Sequence, residues 1–258
     1  MADYYTIAII GSGNVAWHLA PELENAGHCV SELYSRNPKN AKALQKRLYN
    51  AEINPSLDFS DSQAQVFILA IADDAIENIA QEIALPAGAV LVHTSGSQPI
   101  SKLGYASAAH IGVFYPLQTF TKSKRIAFED IPILIEAEDK QTARILKNLG
   151  KSISKKIFEV NSKDRIAIHV AAVFACNFSN KMFGIAQEIL QNQGFDFSLL
   201  RPLIAETINK SLDIGPKQAQ TGPAARRDLE TLDKHMGFLK GSEYQKLYKI
   251  ITKKILDS

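Results

Sequence analysis

The stretch Thr6-Ile7-Ala8-Ile9-Ile10-Gly11-Ser12-Gly13-Asn14-Val15-Ala16-Trp17-His18-Leu19-Ala20 sets the apolar run of a buried strand against two glycines and then against a helical pattern. That order leaves few folds open. Gly11 permits a tight turn, Gly13 lets backbone approach a pyrophosphate, and Ala16, in the place of a third glycine, still allows close helix–strand packing. The amides of Ser12, Gly13, Asn14 and Val15 at the head of the helix are expected to face an anion. A bare G-x-G-x-x-[GA] motif also occurs in ordinary α/β turns. This one follows a strand, opens a helix and lies close to the first residue, which points to a dinucleotide.

The following strand, Cys29-Val30-Ser31-Glu32-Leu33-Tyr34, is expected to end beside the adenosine ribose. An NAD enzyme places Asp or Glu there to accept from the ribose 2′-OH, whereas an NADP enzyme needs room and a cation for a 2′-phosphate. Here the tip reads Ser35-Arg36-Asn37-Pro38-Lys39. Ser35 can donate to the phosphate, Arg36 can pair with its charge and stack on adenine, and Lys39 adds a second charge. The bland alternative is a solvated polar loop. NADP is favoured over NAD.

A chain of 258 residues exceeds a typical single domain, and with 46% hydrophobic and 22% charged residues it can build an ordinary globular core. The net charge of +2 carries no nucleic-acid footprint. Cys29 and Cys176 have no metal-binding spacing; both are expected to be buried thiols in a reducing compartment. No cationic-then-apolar leader is visible and no apolar run reaches the length of a bilayer span. The expectation is a cytoplasmic protein with no nucleic acid, no membrane and no metal among its partners.

Strands and helices then alternate with short connections, which predicts a parallel sheet wrapped on both faces. The predicted elements after Gly27 are a helix over 40–48, a strand over 66–70, a helix over 74–83 and a strand over 89–92. A strand running into a loop follows over 110–120, then a strand over 131–135, a helix over 139–149 stopped by Gly150, and a short strand over 152–158. Ala70-Ile71-Ala72-Asp73-Asp74 lies at the carboxyl end of a strand, the edge where such sheets bind ligands. Ala70 and Ile71 are expected to line the cofactor, while Asp73 and Asp74 read as helix caps rather than catalysts. The next strand ends in His93-Thr94-Ser95-Gly96-Ser97-Gln98-Pro99, where a nicotinamide and its substrate would meet. Ser95, Gly96 and Ser97 are candidate substrate contacts; alternatively Ser97 or Gln98 before Pro99 begins a capped helix. Tyr115-Pro116-Leu117 either lines the site or is an aromatic-proline turn.

From residue 160 the pattern changes, so the expected domains are 1–159 and 160–258. Predicted strands disappear, and 162–193 can be one long helix stopped by Gly194. Its middle, 168–189, is apolar on nearly all sides, implying burial in a bundle or against a second subunit. At about 100° per residue, His169, Val173, Cys176, Asn177, Asn180 and Gln187 share one narrow sector. A polar stripe there needs partners, either neighbouring helices or a substrate in a cleft. Helices over 199–212, 226–239 and 243–255 complete an all-α domain.

Together, Gly11-Ser12-Gly13-Asn14-Val15-Ala16, His93-Thr94-Ser95-Gly96, Tyr115-Pro116-Leu117-Gln118-Thr119-Phe120, the helix with His169, Asn177 and Asn180, and Thr221-Gly222-Pro223-Ala224-Ala225-Arg226-Arg227-Asp228 followed by His235 resemble one group. It is the Rossmann-like NADP oxidoreductases of unassigned substrate, similar in architecture to pyrroline-5-carboxylate reductase and the 6-phosphogluconate dehydrogenase superfamily. The resemblance implies an N-terminal Rossmann doubly wound parallel sheet, an all-α C-terminal domain of the 6-phosphogluconate dehydrogenase type, and a homodimer formed through it.

In the hydroxyacid branch of that superfamily a serine-glycine turn binds substrate, and a long helix carries a catalytic lysine with an asparagine four residues later. Ser95-Gly96 resembles the turn and Asn177 falls at the asparagine, but the lysine position holds Val173, which transfers no proton. Lys181 lies on the wrong side of Asn177. His169, one turn before Val173, is the candidate substitute, since an imidazole ordinarily titrates at about 6.5; otherwise it hydrogen-bonds within the bundle. Pyrroline-5-carboxylate reductase also lacks the lysine, so reduction of a C=N bond stays open. Arg226 and Arg227 either bind a substrate carboxylate or phosphate, or cap a helix or pair with Asp228 and Glu230. The expected activity is NADP(H)-dependent hydride transfer to or from a small carbonyl or imine, with Asn180 among the substrate contacts. The rivals are a non-catalytic NADP(H) sensor and a dehydrogenase of the β-hydroxyacid type with a relocated acid.

Overall fold

The computed structural model describes residues 4–106 and 109–258. Its contacts divide the chain into two compact units, Met1–Val173 and Phe174–Ser258.

The first unit is a sheet of eight strands in the order β3-β2-β1-β4-β5-β6-β7-β8. The strands are β1 (Thr6–Ile10), β2 (Cys29–Tyr34), β3 (Glu52–Ile53), β4 (Val66–Leu69), β5 (Ala89–His93), β6 (Ala109–Pro116), β7 (Ile133–Ala137) and β8 (Ile157–Glu159). From β3 through β6 all pairings are parallel, the doubly wound order that puts a ligand crevice at the carboxyl ends of β1 and β4. β6 and β7 pair antiparallel, which corrects the wholly parallel expectation. A parallel return needs a crossover of a dozen or more residues, usually helical. The connection over 117–132 has no helix, so the chain turns back on the same edge.

Alternate strand residues enter opposite cores. Ile7 and Ile9 join Leu19, Leu23, Leu44, Leu146 and Leu149 on one face; Ala8 and Ile10 join Phe67, Ile76, Ile79 and Leu91 on the other. The first face is covered by α1 (Asn14–Asn25), α2 (Pro38–Gln45) and α4 (Lys140–Ile153), the second by α3 (Ile76–Glu82). Gly150 was expected to stop α4 but lies inside it. A Cβ there would stand 2.8 Å from Ile157 Cδ1, so this glycine serves close packing against β8 and not helix termination.

α5 (Ser162–Ala172) continues through a π-helical turn, Val173–Phe178, into α6 (Ser179–Gln191). The π-turn, with its i→i+5 bonds, breaks the 100° counting from which the sector of His169, Asn177 and Asn180 was drawn. The sheet ends at Glu159, next to the expected domain break, whereas the compact unit also takes in α5. The second unit contains α6, α7 (Arg201–Ile214), α8 (Pro216–Ala219), α9 (Leu229–Phe238) and α10 (Tyr244–Leu256).

By length and composition the helix Ser162–Gln191 is long and apolar enough to cross a membrane, which corrects the expectation that no run reaches that size. Ile166, Val170, Phe174 and Phe178, spaced at i+4, are all exposed on it. Cys176 is exposed and Cys29 half-buried, so neither is the buried thiol expected. In both respects the sequence shows that the helix is apolar without showing what covers it.

Candidate functional site

The turn between β1 and α1 has the geometry its glycines require. Gly11 has φ +117°, and a Cβ on it would lie 2.2 Å from the carbonyl oxygen of Ala70. Gly13 precedes α1 in extended conformation with no side chain capping the helix, which leaves the first amides for a ligand. These residues border a cavity of about 490 Å³ lined also by Ser35, Arg36, Ala70 and Ile71. Ser12 Oγ and Ser35 Oγ are 2.7 Å apart. Asn37 caps α2 by accepting from the amides of Lys39 and Asn40, fixing Arg36 at the rim, where among the described residues it forms no ion pair. Lys39 is exposed and does not line the cavity. No carboxylate lines it either, and Glu32, the acid on β2, accepts from Ser62 instead.

The turn after β5 is closed on itself. His93 Nδ1 accepts from the Ser95 amide at 3.1 Å. Ser95 Oγ accepts from the amides of Ser97 and Gln98 at 3.1 and 3.0 Å, and Ser97 Oγ donates to Asp73 at 2.5 Å. Asp73 therefore does not cap a helix as expected; its short 3₁₀ turn follows Ala72 without a side-chain cap. Arg165 of α5, fully buried, holds this turn from behind: it donates to the Gln98 carbonyl and pairs with Glu136 of β7. Glu136 also accepts from Ser162. Burial, and then the nearby Arg165 charge, lower the His93 pKa to about 4, so its ring is neutral at pH 7.

One helical turn beyond Arg165 stands His169. Its Nδ1 is 3.1 Å from the Tyr115 hydroxyl, with the rings edge-on at 5.9 Å. Both sit over Gly96. A Cβ there would be 2.6 Å from His169 Nδ1 and 2.7 Å from Tyr115 Cζ. The structure thus brings together Ser95, Gly96, Ser97 and His169, and adds Tyr115.

Asn177, Asn180 and Arg226 belong to the second unit, where all three are exposed. Asp228 caps α9 by accepting from Thr231, and Glu230 pairs with Lys234. Among the described residues neither Arg226 nor Arg227 forms an ion pair. An apolar cavity of about 340 Å³ in this unit is lined by Met182, Ile185, Leu232 and Tyr248, among others. His235 Nδ1 meets Tyr248 Oη there at 2.7 Å.

Residues 6–96 match the family described as NADP oxidoreductase coenzyme F420-dependent, and 131–255 match a domain of unknown function, DUF2520. Over its whole length the chain is 34% identical to a provisionally named NADP oxidoreductase from Bacteroides fragilis, with all of both chains covered and a TM-score of 0.91. The chain belongs to this Rossmann-like NADP oxidoreductase family. A Thermotoga maritima protein is 22% identical, with 97% of each chain covered and a TM-score of 0.74. A reductive aminase from Aspergillus terreus, solved with NADPH and ethyl-5-oxohexanoate, is 16% identical with 99% and 94% covered and a TM-score of 0.69. These two attest the fold. No curated protein matches the chain.

NADP, the cofactor of this family, fits the oxidoreductase's first turn: helix-head amides without a side-chain cap, the Arg36 cation among the lining residues and no carboxylate among them to repel a phosphate. Four residues of this half were missed by sequence reasoning. Arg165 and Glu136 stand in no motif, and only their burial marks them. His93 passed as a strand end. Lys122, on the connection after β6, donates to the Ser12 carbonyl at 2.9 Å and lies 4.9 Å over the Trp17 ring; no local pattern signals that reach.

Proposed function

We propose that the oxidoreductase transfers a hydride between NADP(H) and a small carbonyl or imine substrate. The observation that carries this reading is the carboxylate-free cavity at the carboxyl edge of the sheet, with the helix-head amides at its floor and Arg36 at its rim. When bound there, the nicotinamide supplies the hydride chemistry. The protein's part is to orient and to manage the proton. Gly11 to Val15 hold the diphosphate, Ser35 and Arg36 the 2′-phosphate, Ala70 and Ile71 the cofactor's flank. Substrate lies against Ser95, Gly96 and Ser97 with His169.

The exposed apolar side chains of the helical unit, Phe174, Phe178, Leu203 and Leu212 among them, support a homodimer through it, because apolar surface left in water is costly. An exposed Cys176 supports a reducing, cytoplasmic setting. Val173 at the superfamily's lysine position favours the rival, a non-catalytic NADP(H) sensor; NADPH consumption with ketones and imines separates the two.

Arg36→Ala tests the cofactor assignment. It is expected to weaken NADPH binding by roughly tenfold or more, as loss of one charge-assisted contact does, and to leave NADH binding nearly unchanged in fluorescence titrations. Equal losses for both coenzymes would remove the account of cofactor choice.

A further inference from the structure

We propose that Tyr115 is the proton donor of this site and that His169 resupplies it, an assignment resting on the reading of the oxidoreductase as a carbonyl or imine reductase. Three features converge on it. First, His93 of β5 is level with Val113 of β6, so Tyr115 stands two residues further out. At about 3.3 Å per residue that sets it roughly 7 Å beyond the end of the β5 ladder, on the carboxyl edge of the sheet where folds of this order bind ligands. Second, the hydroxyl and imidazole are already paired, at 3.1 Å. Third, the room they occupy exists only because residue 96 has no Cβ.

The surroundings hold that pair in place. Arg165 and His169 are four residues apart on α5 and so share one face. Arg165 fastens the helix to the Gln98 carbonyl, and Glu136 fastens it to β7. This network fixes α5 against the very turn that carries Gly96. Within that turn Ser95 Oγ accepts from two amides, Ser97 Oγ donates to Asp73 and His93 Nδ1 accepts from the Ser95 amide, while His93 Nε2 is buried with no partner among the described residues. Tyr115 and His169 are half-buried, which leaves solvent a route to the imidazole.

The step balances as follows in the reducing direction. A hydride adds to the carbonyl or imine carbon, and the π pair moves onto the oxygen or nitrogen. That atom takes the proton of Tyr115 Oη. The phenolate recovers a proton from the His169 ring, which takes one in turn from solvent. The sum is one hydride and one proton added across C=O or C=N, with NADPH oxidised to NADP.

The test uses full-length protein with NADPH and a panel of cyclohexanone, ethyl levulinate and a preformed cyclic imine. Tyr115→Phe keeps the ring and is expected to lower kcat by roughly 100-fold while NADPH affinity and KM stay within about threefold. His169→Gln is expected to lose a similar factor, and the double variant no more than the worse single one, because the two act as a unit. Without any substrate, the ¹⁵N signal of His169 Nδ1 is expected to move in Tyr115→Phe toward that of a ring bonded only to water. Wild-type kcat in Tyr115→Phe, multiplicative losses in the double variant, or an unmoved Nδ1 signal would each overturn the pair. Wild-type protein that binds NADPH yet reduces no panel member would overturn the reductase reading itself, and the assignment with it.

Discussion

Two strand-to-helix turns stand on the same edge of one sheet and are built on opposite plans. After β1, the turn spends little on side-chain bonds: a Ser12–Ser35 contact at 2.7 Å and Lys122 on the Ser12 carbonyl, an uncapped helix head, and open space beyond. After β5, His93, Ser95 and Ser97 are all tied down within the turn or to Asp73, and a buried guanidinium grips the backbone at Gln98. The first recognises by backbone amides and needs vacancy. The second recognises little by itself; it is a rigid seat that keeps side chains from β6 and α5 in register. Their glycines differ accordingly. Gly11 is required for its φ and for its approach to Ala70, Gly96 for what it leaves free to others.

The seat should suffer most from losing its clamp. Arg165→Met leaves Glu136, only 14% exposed, without its cation, and is expected to cost about 3–5 kcal/mol in urea unfolding, the usual price of a broken buried pair. The double change with Glu136→Met should recover most of that stability, since apolar replacement of a whole pair is often neutral, but should not recover the hold on Gln98. A single variant as stable as wild type would mean the clamp is idle. Next in size, Gly11→Ala is expected to weaken NADPH binding by roughly 100-fold, about 2.7 kcal/mol, since the Cβ would meet a backbone oxygen at 2.2 Å and φ is +117°. Unchanged affinity there would break the contrast from the other side.

The same difference in plan decides what could be read before folding. The β1 turn is legible because its parts are neighbours: strand, glycines and helix follow within fifteen residues of Thr6–Ala20. Ser95-Gly96 was visible as a candidate, yet the reason for the glycine was not, because Tyr115 and His169 come from other elements. Arg165 and Glu136 carry no local mark at all; burial is a tertiary property. The parallel character of the Rossmann sheet followed from alternating strands and helices, but the reversal at β7 depends on a helix missing from one connection. Gly150 misled for a related reason: it has the helix-stopping residue type, while its role is set by Ile157. On the long helix, apolarity was legible and exposure was not, and the π-turn at Val173–Phe178 shifts a stripe that simple counting made continuous.

A smaller effect should appear in the pH dependence of the closed turn. His93 is held near 4 in the fold by burial and by Arg165, against about 6.5 in an unfolded chain. Between those values the unfolded state binds a proton that the native state refuses, so stability falls as pH falls. The contribution is fully present above about 6.5 and lost by about 4, at most about 3 kcal/mol. Glu22 and Glu24, whose pKa values burial raises, act in the opposite sense. Subtracting the profile of His93→Asn, which keeps an acceptor for the Ser95 amide, isolates the histidine. Parallel profiles would show that the ring titrates normally and that the turn is looser than its hydrogen bonds suggest.

The finest comparison sets one serine from each turn against the other. Ser95→Ala strips the acceptor from two amides, at 3.1 and 3.0 Å, and like the loss of a helix cap is expected to cost about 1–2 kcal/mol. Ser12→Ala removes one hydroxyl contact beside an open cavity, where water can replace it, and is expected to cost less than about 0.5 kcal/mol. Binding should rank the other way. Ser12 lines the cofactor cavity and its loss leaves Ser35 unsteadied, so NADPH affinity should drop by a few-fold in Ser12→Ala and hardly move in Ser95→Ala. Paired urea and NADPH titrations decide it. If both variants lost stability and affinity in the same proportion, the division into an open turn that binds and a closed turn that holds would have no energetic content.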